Sequence, residues 1–597
     1  MSDVRLRTVS RYLSGSLIAF VVAIVFSSSG CDRESDGTGT GQSSATVGRP
    51  VDRFEIPVDT SRDAVATIHF ENVAADSGIV FQWSGGPTDR SCMPEQNGGG
   101  VAIHDFDRDG IPDLALTDCG TFDGSGPSSV QAVHLCRGLG GLQFETVSMH
   151  ARLGSEASAA GVAAGDFDGD GFADLFVAAF GRNLLLRNCG DGTFEDVTNR
   201  SGITGDSWST SVAFADLNSD GYLDVYVVNY VDWTRNAEVC RNPQHPELAQ
   251  ICSPNLFNAQ FDQLLLSTGD GTFEDASANS GIVAVKAGNG LALEIADFTG
   301  DGLLDVFVAN DVGMNNLFRN EGGGRFVESG VSAGVAVSSD GALGASMGTA
   351  CADYNRDGEL DLVVTNFRGQ VNDLYSGIGG GGFVHANGTV GLDVLSRHRL
   401  AFGAVFGDFD LDGWPDLFVA NGHIWNVNAI DPNLEYEMSC DILRNVGGRL
   451  FQDASATAGP WFSEKFLARA VGAGDLNNDG ATDLVVQNVG SPLAILKNTC
   501  HQSGAGRTLR FIGTVACREP LGCRVEVKLS DQKTLVTHVP SGGSFQASHD
   551  PRLIVPVLDA TIEQILIAWP DGTAEYWIGP FPSGEIVLLQ GTGQSNG

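Results

Sequence analysis

Positive charge is what this sequence has least of. Lys and Arg number 35 in 597 residues against 74 Asp and Glu, a formal net charge of −39. A phosphate backbone selects basic surfaces, so nucleic acid is excluded as a partner. Long apolar runs are missing as well: after residue 26 no segment could cross a bilayer as a helix. Common catalytic signatures are lacking. There is no His-Glu-x-x-His helix and no phosphate loop, and no Gly-x-Ser-x-Gly segment is read as a nucleophile elbow. Without a convergent constellation the chain reads as a binding or scaffold protein rather than an enzyme.

What is abundant is Gly, 78 residues, together with Asp. That pairing points to many tight turns between short strands. One nine-residue motif recurs seven times: Asp-x-[Asp/Asn/Thr]-x-Asp-Gly-x-x-Asp. Its side chains at positions 1, 3, 5 and 9 and the backbone carbonyl at position 7 can converge on one point. The first copy offers Asp105, Asp107, Asp109, Ile111 and Asp113; the second Asp166, Asp168, Asp170, Phe172 and Asp174. The third offers Asp216, Asn218, Asp220, Tyr222 and Asp224, and the fourth Asp297, Thr299, Asp301, Leu303 and Asp305. The fifth has Asp353, Asn355, Asp357, Glu359 and Asp361, and the sixth Asp408, Asp410, Asp412, Trp414 and Asp416. The seventh has Asp475, Asn477, Asp479, Ala481 and Asp483. An all-oxygen set of this kind suits Ca²⁺, which takes six to eight oxygen ligands. Gly at position 6 permits the sharp turn. Up to seven structural Ca²⁺ ions are expected.

The flanks define the repeat. A small-residue run such as GVAAGD precedes each motif, and a β-rich run such as LFVAAF follows it. A third run (NLLLRN, QLLLST) and a fourth led by Phe complete a four-stranded unit. The fourth-strand Phe occurs seven times, at Phe70, Phe144, Phe194, Phe273, Phe326, Phe383 and Phe451. Phe70 stands before the first Asp motif, and the last motif has no fourth strand after it. The expected fold is therefore all-β: a seven-bladed β-propeller closed by an N-terminal strand, over residues 63–500, followed by a small C-terminal β domain at 501–597. An open solenoid is the alternative architecture.

The N-terminus reads as a targeting segment. Arg5, Arg7 and Arg11 precede an apolar run at 16–26, then Ser28-Ser29-Gly30-Cys31. The pattern resembles a bacterial lipoprotein processing site over 1–31, with Cys31 lipidated, a membrane anchor and export; ordinary signal cleavage is the alternative. Residues 32–62 read as a flexible linker. Export permits disulfides, and Cys240 with Cys252 and Cys517 with Cys523 are the candidate pairs. Cys351 is expected to stay a free thiol. His104 and His423 read as loop or packing residues, and Trp569-Pro570-Asp571-Gly572 as a strand ending in a turn.

The repeats resemble the FG-GAP/VCBS repeats of integrin α-subunit propellers. The GDGTFEDVT run, Cys252-Ser-Pro and Asn421-Gly-His-Ile424 are similar to bacterial proteins related to cartilage acidic protein. Residues 507–578, in CREPLGCRVEVKL, VPSGGSFQAS and ILIAWPDGTAEYW, resemble an ASPIC/UnbV domain. The resemblance implies extracellular calcium-dependent binding, with a protein or carbohydrate as the unknown ligand. The rival is a calcium-dependent hydrolase or lyase acting on carbohydrate from a propeller face. The insertion at 230–262 is the candidate contact loop, or else an inert stapled one.

Overall fold

Small residues, then branched and aromatic ones, then a short Phe-led strand: this order is repeated in the folded chain. The computed structural model describes residues 67–595 apart from 87, 89, 123–130, 154–156, 501–505, 516 and 558–559. Cys31, the targeting segment and the linker lie outside the described residues. The structure is all-β, and every described helix is five residues or shorter.

Each Asp motif joins the first and second strands of an antiparallel sheet. The second sheet shows the pattern: Ser158–Gly165, Asp174–Phe180, Leu184–Asn188 and Phe194–Asp196, paired in that order. Its first two strands are buried almost throughout, so both faces are covered and no polar alternation is needed. In the fourth strand only Phe194 is buried. The seven first strands are Val101–His104, Ser158–Gly165, Ser209–Ala215, Gly290–Ala296, Thr349–Ala352, Ala401–Gly407 and Ala468–Gly474. Each touches the next in that order, and Ala468–Gly474 also touches Val101–His104. Small residues are required there. A Cβ on Gly161 would meet the Thr210 carbonyl oxygen at 2.4 Å, and one on Gly348 the Phe402 carbonyl oxygen at 2.1 Å.

The strand Phe70–Asn72 pairs antiparallel with Ala494–Asn498. It supplies the outer strand of the sheet formed by Ala468–Gly474, Asp483–Asn488 and Ala494–Asn498. Phe70 is 1% exposed and packs edge-on to Phe409, 5.5 Å between ring centroids.

The C-terminal part forms two further sheets. Leu553–Pro556, Gly506–Ile512 and Ile586–Leu589 make one of three strands, and Thr534–His538, Arg524–Leu529, Ile562–Ala568, Ala574–Ile578 and Gln594–Ser595 one of five. Its apolar residues, Trp569 and Val525 among them, share one buried cluster with Phe176 and Phe214 of the second and third repeat sheets.

The segment 541–550 leaves these sheets and reaches the first strands of all seven repeat sheets. Ala547–Ser548 pairs in parallel with Val101–His104. Ala164 donates its N–H to Ser548 Oγ (3.4 Å), and Ser541 Oγ donates to the Phe214 carbonyl (2.8 Å). Gly543 donates to Leu293 O (2.8 Å), and Ser544 exchanges backbone bonds with Thr349 (2.7 and 2.9 Å). Phe545 packs on Phe402 at 5.1 Å, and Asp550 donates to Ala473 O (3.0 Å). Ser544 and Gln546 hold φ of 56° and 59°, left-handed values that only a crowded surrounding sustains for non-Gly residues.

Cys240 and Cys252 form a disulfide across the 230–262 insertion. The pair expected between Cys517 and Cys523 is not formed. Both are free, buried thiols, and Cys517 Sγ instead donates to the Glu519 carbonyl (3.1 Å). Apolar surroundings push both thiols well above their ordinary pKa and keep them protonated. Cys351 is free.

Candidate metal centres

Every Asp motif folds into one turn, and three hydrogen bonds are common to all seven. Position 1 follows the last residue of the first strand, and position 9 opens the second. Gly at position 6 has φ between 84° and 96° in all seven turns, and position 4 is left-handed too, φ between 56° and 74°. Two left-handed residues so close bend the chain round its own carboxylates. Position 4 is Arg108, Gly169, Ser219, Gly300, Arg356, Leu411 or Asn478, so residue type gave no sign of it.

One oxygen of position 1 accepts the N–H of the position-6 Gly in each turn, at 2.6–3.0 Å. Position 5 accepts the N–H of position 7, from Ile111, Phe172, Tyr222, Leu303, Glu359, Trp414 and Ala481, at 2.9–3.0 Å. Position 9 is the most buried ligand candidate, at 2% exposure or less throughout. Its Oδ1 accepts an N–H from the third strand in all seven sheets, at 2.7–2.9 Å. In six turns its Oδ2 accepts the N–H of position 2, at 2.9–3.1 Å. This Asp therefore ties turn to third strand before any ion is considered.

Burial makes these carboxyls resist ionisation, and the neighbouring carboxylates add to the effect. Asp113 and Asp305 are pushed up to about 7, Asp224 and Asp361 to about 8. Asp174, Asp416 and Asp483 rise well above the usual range. At position 1, Asp166 rises to about 7 and Asp216 and Asp353 to about 6, again chiefly by burial. A divalent cation would reverse that penalty. In three turns carboxylate oxygens already gather within 4.8 Å: Asp105, Asp107 and Asp113; Asp166, Asp168 and Asp174; Asp408, Asp410 and Asp416. Asp105 Oδ1, Asp166 Oδ1 and Asp408 Oδ1 are buried with no partner. The oxygen-only donor sets and these orphaned atoms fit a hard divalent cation.

Replacing Asp224 by Ala should destabilise the protein by about 2–6 kcal/mol, because the N–H groups of Leu217 and Ser267 lose their acceptor. Urea melts should show the loss in EDTA as well as in calcium. A loss seen only with calcium would make Asp224 a ligand and nothing more.

Sequence reasoning missed the residues that frame these turns. Arg137 Nε lies 2.6 Å from Asp107 and its Nη2 3.2 Å from Asp109. Arg187 forks in the same way over Asp168 and Asp170, and Arg444 over Asp410 and Asp412, at 2.5 and 2.7 Å. Neighbouring turns are also linked: Arg108 stacks over Phe172 at 5.3 Å and Arg356 over Trp414 at 4.1 Å. The recurring Arg-Asn at the end of the third run was the available signal. That Asn reaches the previous sheet, as Asn188 Nδ2 donates to Phe106 O (2.9 Å) and Asn445 Nδ2 to Tyr354 O (2.9 Å).

The remaining candidates are structural. His104 Nε2 sits 2.7 Å from Glu519 Oε1, both largely buried. His423 Nδ1 accepts the Trp425 N–H (3.3 Å). Trp569 is fully buried, and Asp571 accepts the Thr573 N–H (2.9 Å) in the turn that follows. Three Gly-x-Ser-x-Gly strings do occur, at 330–334, 344–348 and 593–597, of which the first two lie wholly within the described residues. Neither is a nucleophile elbow: Ser332 Oγ donates to the Ser329 carbonyl (2.9 Å) on a single helical turn, and Ser346 is 1% exposed.

Sheets and turns together define an all-β repeat protein whose loops gather carboxylates. The FG-GAP-like repeat model matches residues 105–177, 166–227, 297–364 and 353–419, and the ASPIC and UnbV model matches 513–595. The chain therefore carries FG-GAP-like repeats and, at its C-terminal side, an ASPIC/UnbV domain. It is similar to cartilage acidic protein 1 of Mus musculus, 25% identical over 317 residues, and of Homo sapiens, 24% over 317. These matches cover 51% of this chain and 45% and 44% of the relatives, so the chain spans about half the length of the curated relatives it matches. Among solved structures, an Agrocybe aegerita protein that recognises non-reducing terminal N-acetylglucosamine is 16% identical with a TM-score of 0.37, covering 66% of this chain and 85% of its own. BBS1N in complex with ARL6DN is 10% identical with a TM-score of 0.38, covering 73% of this chain and 99% of its own. Likeness at that level bears on no ligand.

Proposed function

We propose that this chain is an exported, calcium-stabilised seven-bladed β-propeller that serves as a surface binding or scaffold module and not as an enzyme. One observation carries the reading. The seven first strands touch in succession, last to first, and the segment 541–550 bonds to or packs on all seven, which supports a ring with that segment at its axis. Strand Phe70–Asn72, paired to Ala494–Asn498, supports closure of the ring. An axial site for catalysis would need an open channel lined by reactive side chains. Here segment 541–550 meets the first strands chiefly through backbone bonds, and the charged side chains of those strands, Glu294 and Arg469, are buried.

Seven Asp turns with buried, ionisation-resistant carboxyls support Ca²⁺ as the stabilising ion. Export is supported by the Cys240–Cys252 disulfide, which persists in oxidising compartments. A lipid on Cys31 would hold the module at a membrane, facing the periplasm or cell exterior. The stapled insertion offers the contact surface, with Leu256 67% and Phe261 49% exposed. Its ligand is a protein or carbohydrate.

The hydrolase or lyase alternative has one observation in its favour. A cavity of about 210 Å³ is lined by Glu294, His538, His549 and Arg356, with His538 Nε2 3.3 Å from Glu294 Oε1. That pair is buried, and burial drives His549 down to about 4. The experiment is capture from a native envelope extract on the immobilised protein, in millimolar calcium and in EDTA. A component retained in calcium and released by EDTA is expected. Depolymerisation of an added polysaccharide by the purified protein would overturn the non-enzymatic reading.

A further inference from the structure

We infer that the seven turns are of two kinds, and that only those opening at Asp105, Asp166 and Asp408 are tight cation sites. The inference rests on the calcium reading above. The distinction lies in what happens to the second oxygen of position 1. In the other four turns the loop closes on itself. There the position-5 N–H reaches position-1 Oδ1: Asp220 to Asp216 (3.1 Å), Asp301 to Asp297 (3.1 Å), Asp357 to Asp353 (3.0 Å) and Asp479 to Asp475 (2.9 Å). That position-1 oxygen is satisfied by the protein's own backbone, and no ion is needed to complete it; the one orphaned carboxylate oxygen in these four turns is Asp483 Oδ2, at position 9.

In the three remaining turns that bond is not made. The position-5 N–H of Asp109, Asp170 and Asp412 goes to the position-3 carboxylate, at 3.2 Å each time. Position-1 Oδ1 is left buried and unpartnered. Asp166 shows the consequence most clearly, since the residue is only 4% exposed. These same turns are the ones whose carboxylates gather within 4.8 Å. A buried, unpaired carboxylate oxygen among like charges is costly unless something positive meets it.

Residue chemistry explains the split. Only these three turns carry Asp at position 3, and only they are spanned by an Arg fork from the third strand. The guanidinium takes the outer oxygens of positions 3 and 5, holding both side chains in place and leaving position 1 free to face an ion. Four carboxylates and one guanidinium leave a formal −3, the same as the three carboxylates of each self-closed turn. The Arg thus allows a fourth carboxylate without added repulsion. Where position 3 is Asn no Arg fork is needed: the amide binds position 5 in two turns, Asn218 Nδ2 to Asp220 (2.9 Å) and Asn477 Nδ2 to Asp479 (2.8 Å), and Asn355 Nδ2 donates to Ser376 Oγ (3.1 Å). Where it is Thr299, the Arg of that sheet, Arg319, turns away to Glu321.

Ligand charge count and rigidity set calcium affinity. Isothermal titration of the full chain with Ca²⁺ after chelation should therefore resolve three tight equivalents, with any further binding at least about tenfold weaker. Asp408→Asn should reduce the tight count to two. Conversely, Asn218→Asp with Leu266→Arg should raise it to four, because Leu266 holds the place in its strand that Arg187 holds before Asn188. The gain-of-site variant keeps the test decisive should the first fail to fold. Seven equivalent sites, or an unchanged count in the double variant, overturns this inference and leaves the calcium reading standing. No calcium bound at all overturns both.

Discussion

In excess EDTA the protein should melt well below its temperature in millimolar calcium. The turns concentrate carboxyls whose burial works against their charge, and a bound ion would supply the missing counter-charge. A site held at about a hundred times its dissociation constant contributes about 2.7 kcal/mol by mass action. Three such sites give about 8 kcal/mol, comparable to the whole stability of a typical domain, ~5–15 kcal/mol. Spread over an unfolding entropy of ~2.1 cal/mol/K per residue, that is a fall of roughly 7 °C. Magnesium should restore little of it, since it prefers to keep its own waters. Differential scanning calorimetry with calcium, magnesium and EDTA measures all three states. A melt unmoved by EDTA would remove the ion from the account of stability.

The second large effect belongs to the segment that meets all seven repeat sheets. Phe545→Ala should cost about 3–5 kcal/mol, as truncation of a fully buried aromatic does. Phe545 has no exposed surface and lies against Phe402. Its loss should loosen repeat sheets and C-terminal sheets together, because they share a buried cluster and the segment, bonded to the repeat strands, runs in the chain between Thr534–His538 and Leu553–Pro556 of the C-terminal sheets. A control at Val587, which is 53% exposed, should stay within about 0.5 kcal/mol of the parent. Urea denaturation followed by tryptophan fluorescence and far-ultraviolet circular dichroism tests this. Two separated transitions in the parent protein would mean that the segment couples nothing.

Much of the candidate site was legible because it is local. A turn of nine residues names its own ligand positions, and Gly at position 6 names its bend. The left-handed position 4 was not legible, since Arg, Ser, Leu and Asn occupy it as readily as Gly. The Arg forks were half legible: Arg187 and Arg444 stand in a visible repeat, but their targets lie 17 to 34 residues away in sequence.

By itself the sequence determined the strands, the turns and their repetition. Small residues can line only a crowded strand, and a lone Phe can anchor only a short outer one. Those choices are made within a few residues, so composition and spacing reveal them. Tertiary structure alone decided three things: where residues 541–550 go, which turns leave their position-1 oxygen orphaned, and that Cys517 and Cys523 remain free thiols. The first is carried mainly by backbone bonds between segments hundreds of residues apart, as when Ser544 meets Thr349. Such bonds leave no mark in side-chain pattern, because every residue but proline has the same N–H and carbonyl to offer.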